Sequence, residues 1–370
     1  MKKGMWIGGA AAGLILAVLA GTLCFADYRG REGMQFAAGL GNGINIGNSL
    51  DATGVREHRD NASAEYYETY WKNPPIRGEL FSEIGKAGFR SVRIPVTWDE
   101  HMDAEGNIEP EWMDRVQEVV DMALHEGLYV ILDTHHETWL NLDTDKEAEI
   151  GGKLGKVWTQ IARRFSEYDE HLLFEGMNEP RLRDSEYEWT EGTKELRDMT
   201  NRLNRVFVDS VRAAGGANEE RYLLICPYAN RYETAALESL EYIDGHVIVS
   251  VHAYIPYSFC EGNGGSRAFD ADNKSDTEKI DTLFEWLQEN YVKRRIPVVI
   301  TEFGSEDKEN GEERLEWLRY YLEQANGIGV PCFWWDEGAE RKLIDRESLE
   351  WQEEEMVGAL TEGAWPGEWE

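Results

Sequence analysis

The chain has 370 residues, 42% of them hydrophobic, with 14 Trp, 16 Tyr and 12 Phe, enough to bury a large core as one α/β unit or two average domains. Its formal net charge is −33. A surface this acidic repels phosphate backbones, so nucleic acid is excluded as a partner; a neutral polymer such as a polysaccharide fits the surplus of flat rings better.

The N-terminus reads MKKGMWIGGAAAGLILAVLAGTLCFADY. Lys2 and Lys3 precede an uncharged run that ends at the small residue Ala26. That pattern matches a secretory signal. The run is also long enough to cross a bilayer, in which case residues 5–25 would be a membrane tether. Either way the lysines hold the N-terminus in the cytoplasm and send the rest outward. The expectation is a protein secreted or anchored outside the cytoplasmic membrane, with residues 1–26 set apart from a catalytic domain over 27–370. Beyond that segment only Cys226, Cys260 and Cys332 remain. An odd count without short paired spacings reads neither as a disulfide scaffold nor as a zinc ribbon.

No linker, repeat or low-complexity tract divides the rest. Strand-like runs lie at 44–48, 91–98, 128–136, 172–179, 222–228, 247–254, 297–304 and 330–338. Helix-like runs lie between them at 77–88, 109–127, 196–216, 276–291 and 311–327, and WQEEEMVGAL supplies an eighth helix. Gly88, Gly127, Gly215 and Gly327 are the expected helix stops. Alternating strands and helices imply parallel βαβ units, and eight of them close into a single (β/α)8 TIM barrel. The runner-up is a doubly wound sheet, which would open on a glycine-rich phosphate turn. Gly41, Gly43 and Gly47 instead sit within a strand-like run.

Active sites of such barrels form at the C-terminal ends of the strands. The polar residues of this chain fall there: Arg93; Asp133, His135, His136 and Glu137; Asn178 and Glu179; His252 and Tyr254; Glu302; and Trp334, Trp335 and Asp336. Each alone has a structural explanation; six strands ending this way do not. Glu179 and Glu302, on different strands, suit acid/base and nucleophile roles at a glycosidic bond. Arg93 beside Glu302 would keep it ionised. Asn178 can donate to a sugar hydroxyl, and Tyr254 to a carboxylate. Glu175, deeper on the strand of Glu179, reads as a structural carboxylate held by Arg93 or His135. Trp71, Trp98, Trp139 and Trp189 lie on or near loops, where stacking on sugar and packing are equally open. The run 262–276 reads as a long loop after strand six. Metal catalysis is disfavoured, because HHE at 135–137 lacks the HExxH spacing and Cys332 has no second Cys three residues on. No metal or cofactor is expected. No GxSxG elbow is present either.

In these motifs the chain resembles the family 5 glycoside hydrolases, and their subfamily 4 endoglucanases in particular. GINIGNSLDA, GFRSVRIPVTW, FEGMNEPR, HAYIPYSF, ITEFG and FWWD follow in the family's order, from Gly41 to about Leu360. The resemblance implies a retaining endo-acting hydrolase of β-1,4-glucans (cellulose, xyloglucan or mixed-linkage glucan), with endo-β-mannanase or xylanase as the alternative. It makes Glu179 the acid/base and Glu302 the nucleophile. Substrate-binding or supporting residues would be Asn45, Arg93, His135, His136, Asn178, His252 and Tyr254. One of Trp334 and Trp335 would lie under the sugar at the cleavage site. A monomer is expected. Departures from the family pattern are Ile46, Ser49, Thr301 before the nucleophile, and Glu337 after WWD.

Overall fold

The protein is described as a computed structural model over residues 30–58, 62–243, 245–261 and 264–362. The signal or tether segment lies outside these residues. Eight short runs buried on both faces form the strands: β1 Gly43–Asn45, β2 Ser91–Ile94, β3 Tyr129–Asp133, β4 Leu172–Glu175, β5 Leu223–Ile225, β6 Val247–His252, β7 Val298–Phe303 and β8 Cys332–Trp334. All pair in parallel, in sequence order, and β8 returns to β1 to close the barrel. Strands buried on both faces are what a parallel sheet under a helical layer requires.

A helix follows each strand: α1 Gly78–Lys86, α2 Pro110–His125, α3 Glu147–Arg164, α4 Lys194–Ala213, α5 Thr234–Glu238, α6 Lys274–Asn290, α7 Gly311–Gly327 and α8 Glu354–Thr361. α3 is hard to read from sequence because Gly151, Gly152 and Gly155 interrupt its pattern. The packing explains two of them. A Cβ on Gly155 would stand 3.0 Å from Ser210 Oγ of α4, and one on Gly151 would touch Leu203 and Val206 of the same helix. Gly88, Gly127 and Gly215 follow their helices with φ of 103°, 75° and 73°. The stop expected at Gly327 falls two residues later, at Gly329 with φ 70°, so α7 keeps Gly327 as its last residue.

The barrel interior is layered by the two-residue period of its strands. Ile131, Leu173, Leu224, Ile248, Val299 and Phe333 form an apolar layer. A helix at residues 30–39 borders this layer, and its Phe36 stacks on Tyr222 at 3.7 Å. Two residues further along the same strands come Asp133, Glu175, Ser250 and Thr301, which are buried and polar. The sequence runs therefore alternate correctly but overestimate the strands. β4 stops at Glu175 and β2 at Ile94, where side chains take over the backbone donors beyond β2. Asp133 Oδ1 accepts from Val96 N at 2.9 Å, and Glu137 Oε1 accepts from Trp98 N at 2.7 Å.

Candidate active site

Arg93, wholly buried on β2, organises the floor of the site. Its Nε donates to Glu175 Oε2 at 2.5 Å. One terminal nitrogen donates to Asn45 Oδ1 and Glu302 Oε1, at 3.0 and 2.7 Å. The other donates to Asp133 Oδ2 and Asn178 Oδ1, both at 2.8 Å. Burial opposes the guanidinium charge, but the surrounding carboxylates outweigh it and raise the pKa of Arg93. Glu175 is thus braced by Arg93 rather than by His135. Its other oxygen accepts from Ser250 Oγ at 2.6 Å.

The fixed amide of Asn178 settles its neighbour. With Oδ1 on Arg93, Asn178 presents Nδ2 to His135 Nε2 at 3.3 Å. His135 Nδ1 lies 2.7 Å from Asp133 Oδ2. Burial holds the His135 pKa well below its ordinary value, so the ring is neutral, donating through Nδ1 and accepting at Nε2. His136 stands edge-on to His135 at 4.4 Å and against Trp71 at 5.7 Å, lining the same wall. Asp51, His135 and His136 lie close enough to suggest a metal set. The Asp51 oxygens, however, accept from Asn48 N and Ser49 N, and both His135 nitrogens are engaged.

Glu179 lies on the loop four residues past β4, and Glu302 lies on β7. Their side chains are 20% and 6% exposed. One oxygen of each, together with a ring nitrogen of His252, falls within 4.8 Å. His252 Nδ1 is 3.0 Å from Glu179 and 3.4 Å from Glu302. Burial lowers the His252 pKa to about 4. Its Nε2 has no partner among the described residues. An unpartnered lone pair is cheaper to bury than an unpartnered N–H, so the proton sits on Nδ1, facing the carboxylates. Tyr254 donates its phenol to Glu302 Oε2 at 3.0 Å. Burial raises both carboxyl pKa values, with Arg181 the main opposing influence at Glu179 and Arg93 among those at Glu302. Arg93 therefore does not bring Glu302 below the ordinary range. Arg93 and the Tyr254 phenol both favour the ionised form of Glu302, as Arg181 favours that of Glu179.

Several expectations left open by the sequence are narrowed here. Asn45 is a supporting residue rather than a substrate-binding one. Its amide donates to the carbonyls of Thr301, Phe333 and Trp334, and its oxygen serves Arg93. Trp334 is wholly buried against Phe303 and Trp317, with Nε1 on Arg341 O at 2.7 Å. The cleft tryptophan is Trp335, half-buried and parallel to His135 at 5.6 Å. Strand alternation sends adjacent residues to opposite sides, which decides the question. Trp98 is core, its Nε1 on Asp133 O. Asp336 shapes the loop after β8, accepting from Gly338 N and Leu343 N.

Other residues escape the sequence reading. Asn230 has φ of 50° and donates to Asn178 O at 2.9 Å and Ser250 Oγ at 3.0 Å. A cavity of about 470 Å³ beside Glu179 is lined by Trp189, Tyr232, Tyr254, Tyr257 and Glu261. An Asn two residues after a Pro-Tyr turn was the available signal for Asn230; Tyr232 and Tyr257 gave none, whereas Trp189 was among the loop rings expected either to stack on sugar or to pack, and Tyr254 among the site residues. A larger hollow, about 720 Å³, lies between α7 and α8 and holds none of the strand-end residues.

The model of the cellulase family, glycosyl hydrolase family 5, matches residues 51–341. The chain belongs to glycosyl hydrolase family 5. Its relatives include endoglucanase A of Ruminococcus albus, 39% identical over 91% of this chain and 94% of the relative. Endoglucanase B of the same organism is 41% identical over 86% and 77%. Among solved structures of the family, a GH5-4 broad-specificity endoglucanase from Clostridium longisporum superposes with a TM-score of 0.85 at 36% identity, covering 89% of this chain and 97% of that one. A xyloglucan-specific endo-β-1,4-glucanase from a metagenomic library, in complex with cellotriose, gives 0.84 at 37%, covering 89% and 98%.

Proposed function

We propose that this cleft cleaves β-1,4-glucans internally, with Glu302 as nucleophile and Glu179 as acid/base. The chain is an endo-β-1,4-glucanase of family 5. The observation that carries the mechanism is the close carboxylate pair, one oxygen of Glu179 lying within 4.8 Å of one oxygen of Glu302. Retaining hydrolases hold their carboxyls about 5–5.5 Å apart, and inverting ones about 6.5–9.5 Å apart to admit a water. Glu302, ionised between Arg93 and Tyr254, attacks the anomeric carbon. Glu179 gives its proton to the departing glycosidic oxygen. A covalent glycosyl-enzyme forms and the leaving-group sugar departs. Glu179, now a carboxylate, takes a proton from water, which displaces Glu302 and releases sugar with the original configuration. Asn178 Nδ2 has a second hydrogen for a hydroxyl of the sugar at the cleavage site, and Trp335 offers that sugar a flat face.

Cello-oligosaccharides bound to family neighbours support a polysaccharide substrate. Residues 1–26 support action outside the cytoplasmic membrane, secreted or tethered.

The test is Glu302→Gly. Turnover of β-glucan should fall by at least about 10⁴-fold, and azide should restore it by yielding an α-glycosyl azide. A β-configured product, or full activity without azide, would remove Glu302 from the nucleophile's role. Initial rates on xyloglucan, lichenan, xylan and mannan then rank the polymers, with the glucans expected first.

A further inference from the structure

The leaving-group side of the cleft has a construction of its own. Trp189, Tyr257 and Tyr187 are the large apolar side chains exposed among the described residues, and the first two line the cavity beside Glu179. The acid protonates the leaving oxygen, so the leaving-group sugar must lie on the side of Glu179. Trp189 is half exposed there. Its covered face is stacked by the Arg181 guanidinium, 3.9 Å from the ring centroid. The same guanidinium donates to Glu179 O at 3.0 Å and lies 3.5 Å from Glu179 Oε2. Arg181 Nε donates to Glu188 Oε1 at 3.2 Å, and Glu188 Oε2 accepts from Asp184 N at 2.9 Å.

We propose that Arg181 and Trp189 act as one unit, Trp189 receiving the leaving-group sugar on its open face while Arg181 behind it positions Glu179 and sets its proton occupancy. The proposal rests on the glucanase reading above and deepens it. Sugar binding and acid/base catalysis are then linked through one planar cation, a geometry that lysine cannot reproduce.

Other charges face Glu179 as well: His252 from β6, Glu302 from β7, Arg93 from β2, Arg231 from the loop after β5, and Arg183 from its own loop. Arg93 is committed to the floor carboxylates, Arg231 to Glu233, and Arg183 to Glu137 O. Among the described residues Arg181 is the arginine in contact with the Glu179 carboxylate. A cation there favours the ionised form. Removing it keeps Glu179 protonated to higher pH, so the alkaline limb of kcat/KM moves upward.

The experiment compares Arg181→Met, Arg181→Lys and Trp189→Ala on lichenan and on β-cellobiosyl fluoride, which offers no leaving-group sugar. Arg181→Met should raise the alkaline limb on lichenan by about one pH unit, and Arg181→Lys should leave it in place. Trp189→Ala should lower kcat/KM on lichenan about tenfold, but on the fluoride by less than about threefold. Turnover of the fluoride also reports that each variant is folded. Equal losses of Trp189→Ala on both substrates, or an unmoved limb in Arg181→Met, would overturn the proposal. A wild-type protein inactive on both substrates would instead refute the glucanase reading itself.

Discussion

Arg93 uses all five of its N–H bonds, on Glu175, Asn45, Glu302, Asp133 and Asn178. It is one buried cation among three carboxyls, and burial pushes the Asp133 pKa up to about 6. Removing the cation from such a cluster leaves uncompensated buried acids, a loss of about 3–5 kcal/mol. Arg93→Met should therefore unfold at markedly lower urea, followed by tryptophan fluorescence at pH 7. Arg93→Lys should recover part of that loss, because a point charge cannot fill the five-way fork. A midpoint within error of wild type for the Met variant would mean that the cluster is neutralised some other way. Thr301, a departure from the family pattern, is absorbed at the same place. Its hydroxyl lies 2.5 Å from Ser250 Oγ and 3.4 Å from Glu175 Oε1.

At the scale of the element, FEGMNEP shows how a strand becomes a catalytic turn. Glu175 ends β4 facing Arg93, while Gly176 faces α4 so closely that a Cβ would stand 2.4 Å from Phe207 Cδ1. The carbonyl of Gly176 accepts from Thr134 Oγ1 and Trp158 Nε1, and Asn178 N donates to Thr134 O. Glu179 is thus aimed by a turn tied to the β3 loop and to α3. Gly176→Ala should cost about 1–3 kcal/mol through overpacking and should lower glucan turnover as the turn shifts. Calorimetry paired with lichenan assays checks both; a variant with unchanged thermal midpoint and rate would show that α4 yields freely. Gly47 has the same logic under Trp335, where a Cβ would stand 2.8 Å from Cζ2 of the ring.

The whole molecule carries a net charge of −33 around a cleft for neutral polymer. Repulsion of an anionic substrate is screened by salt, with a Debye length of about 30 Å at 0.01 M and about 8 Å at 0.15 M. KM for carboxymethylcellulose should therefore fall as salt rises over that range, while KM for lichenan stays level. Parallel salt titrations of the two substrates test it, and equal slopes would place the charge too far from the cleft to matter. The barrel is also what unites the catalytic pair. Glu179 and Glu302 are far apart in sequence, and ring closure of β8 onto β1 completes the floor through Asn45 and its bonds to Phe333 and Trp334.

By itself the sequence determined the alternation of eight strands and helices, the acidic surface and the strand-end placement of the polar groups, Glu179 and Glu302 among them. Those features follow from periodicity and from residues at the ends of apolar runs, both of which are local. The tertiary structure decided that Trp335 rather than Trp334 meets the cleft, that Asn45 is consumed inside the barrel, that Arg93 rather than His135 braces Glu175, and that Arg181 stands between Trp189 and Glu179. Each of these depends on which side of a strand end or loop a side chain faces. Facing is set by partners brought from other strands, and no local pattern encodes it.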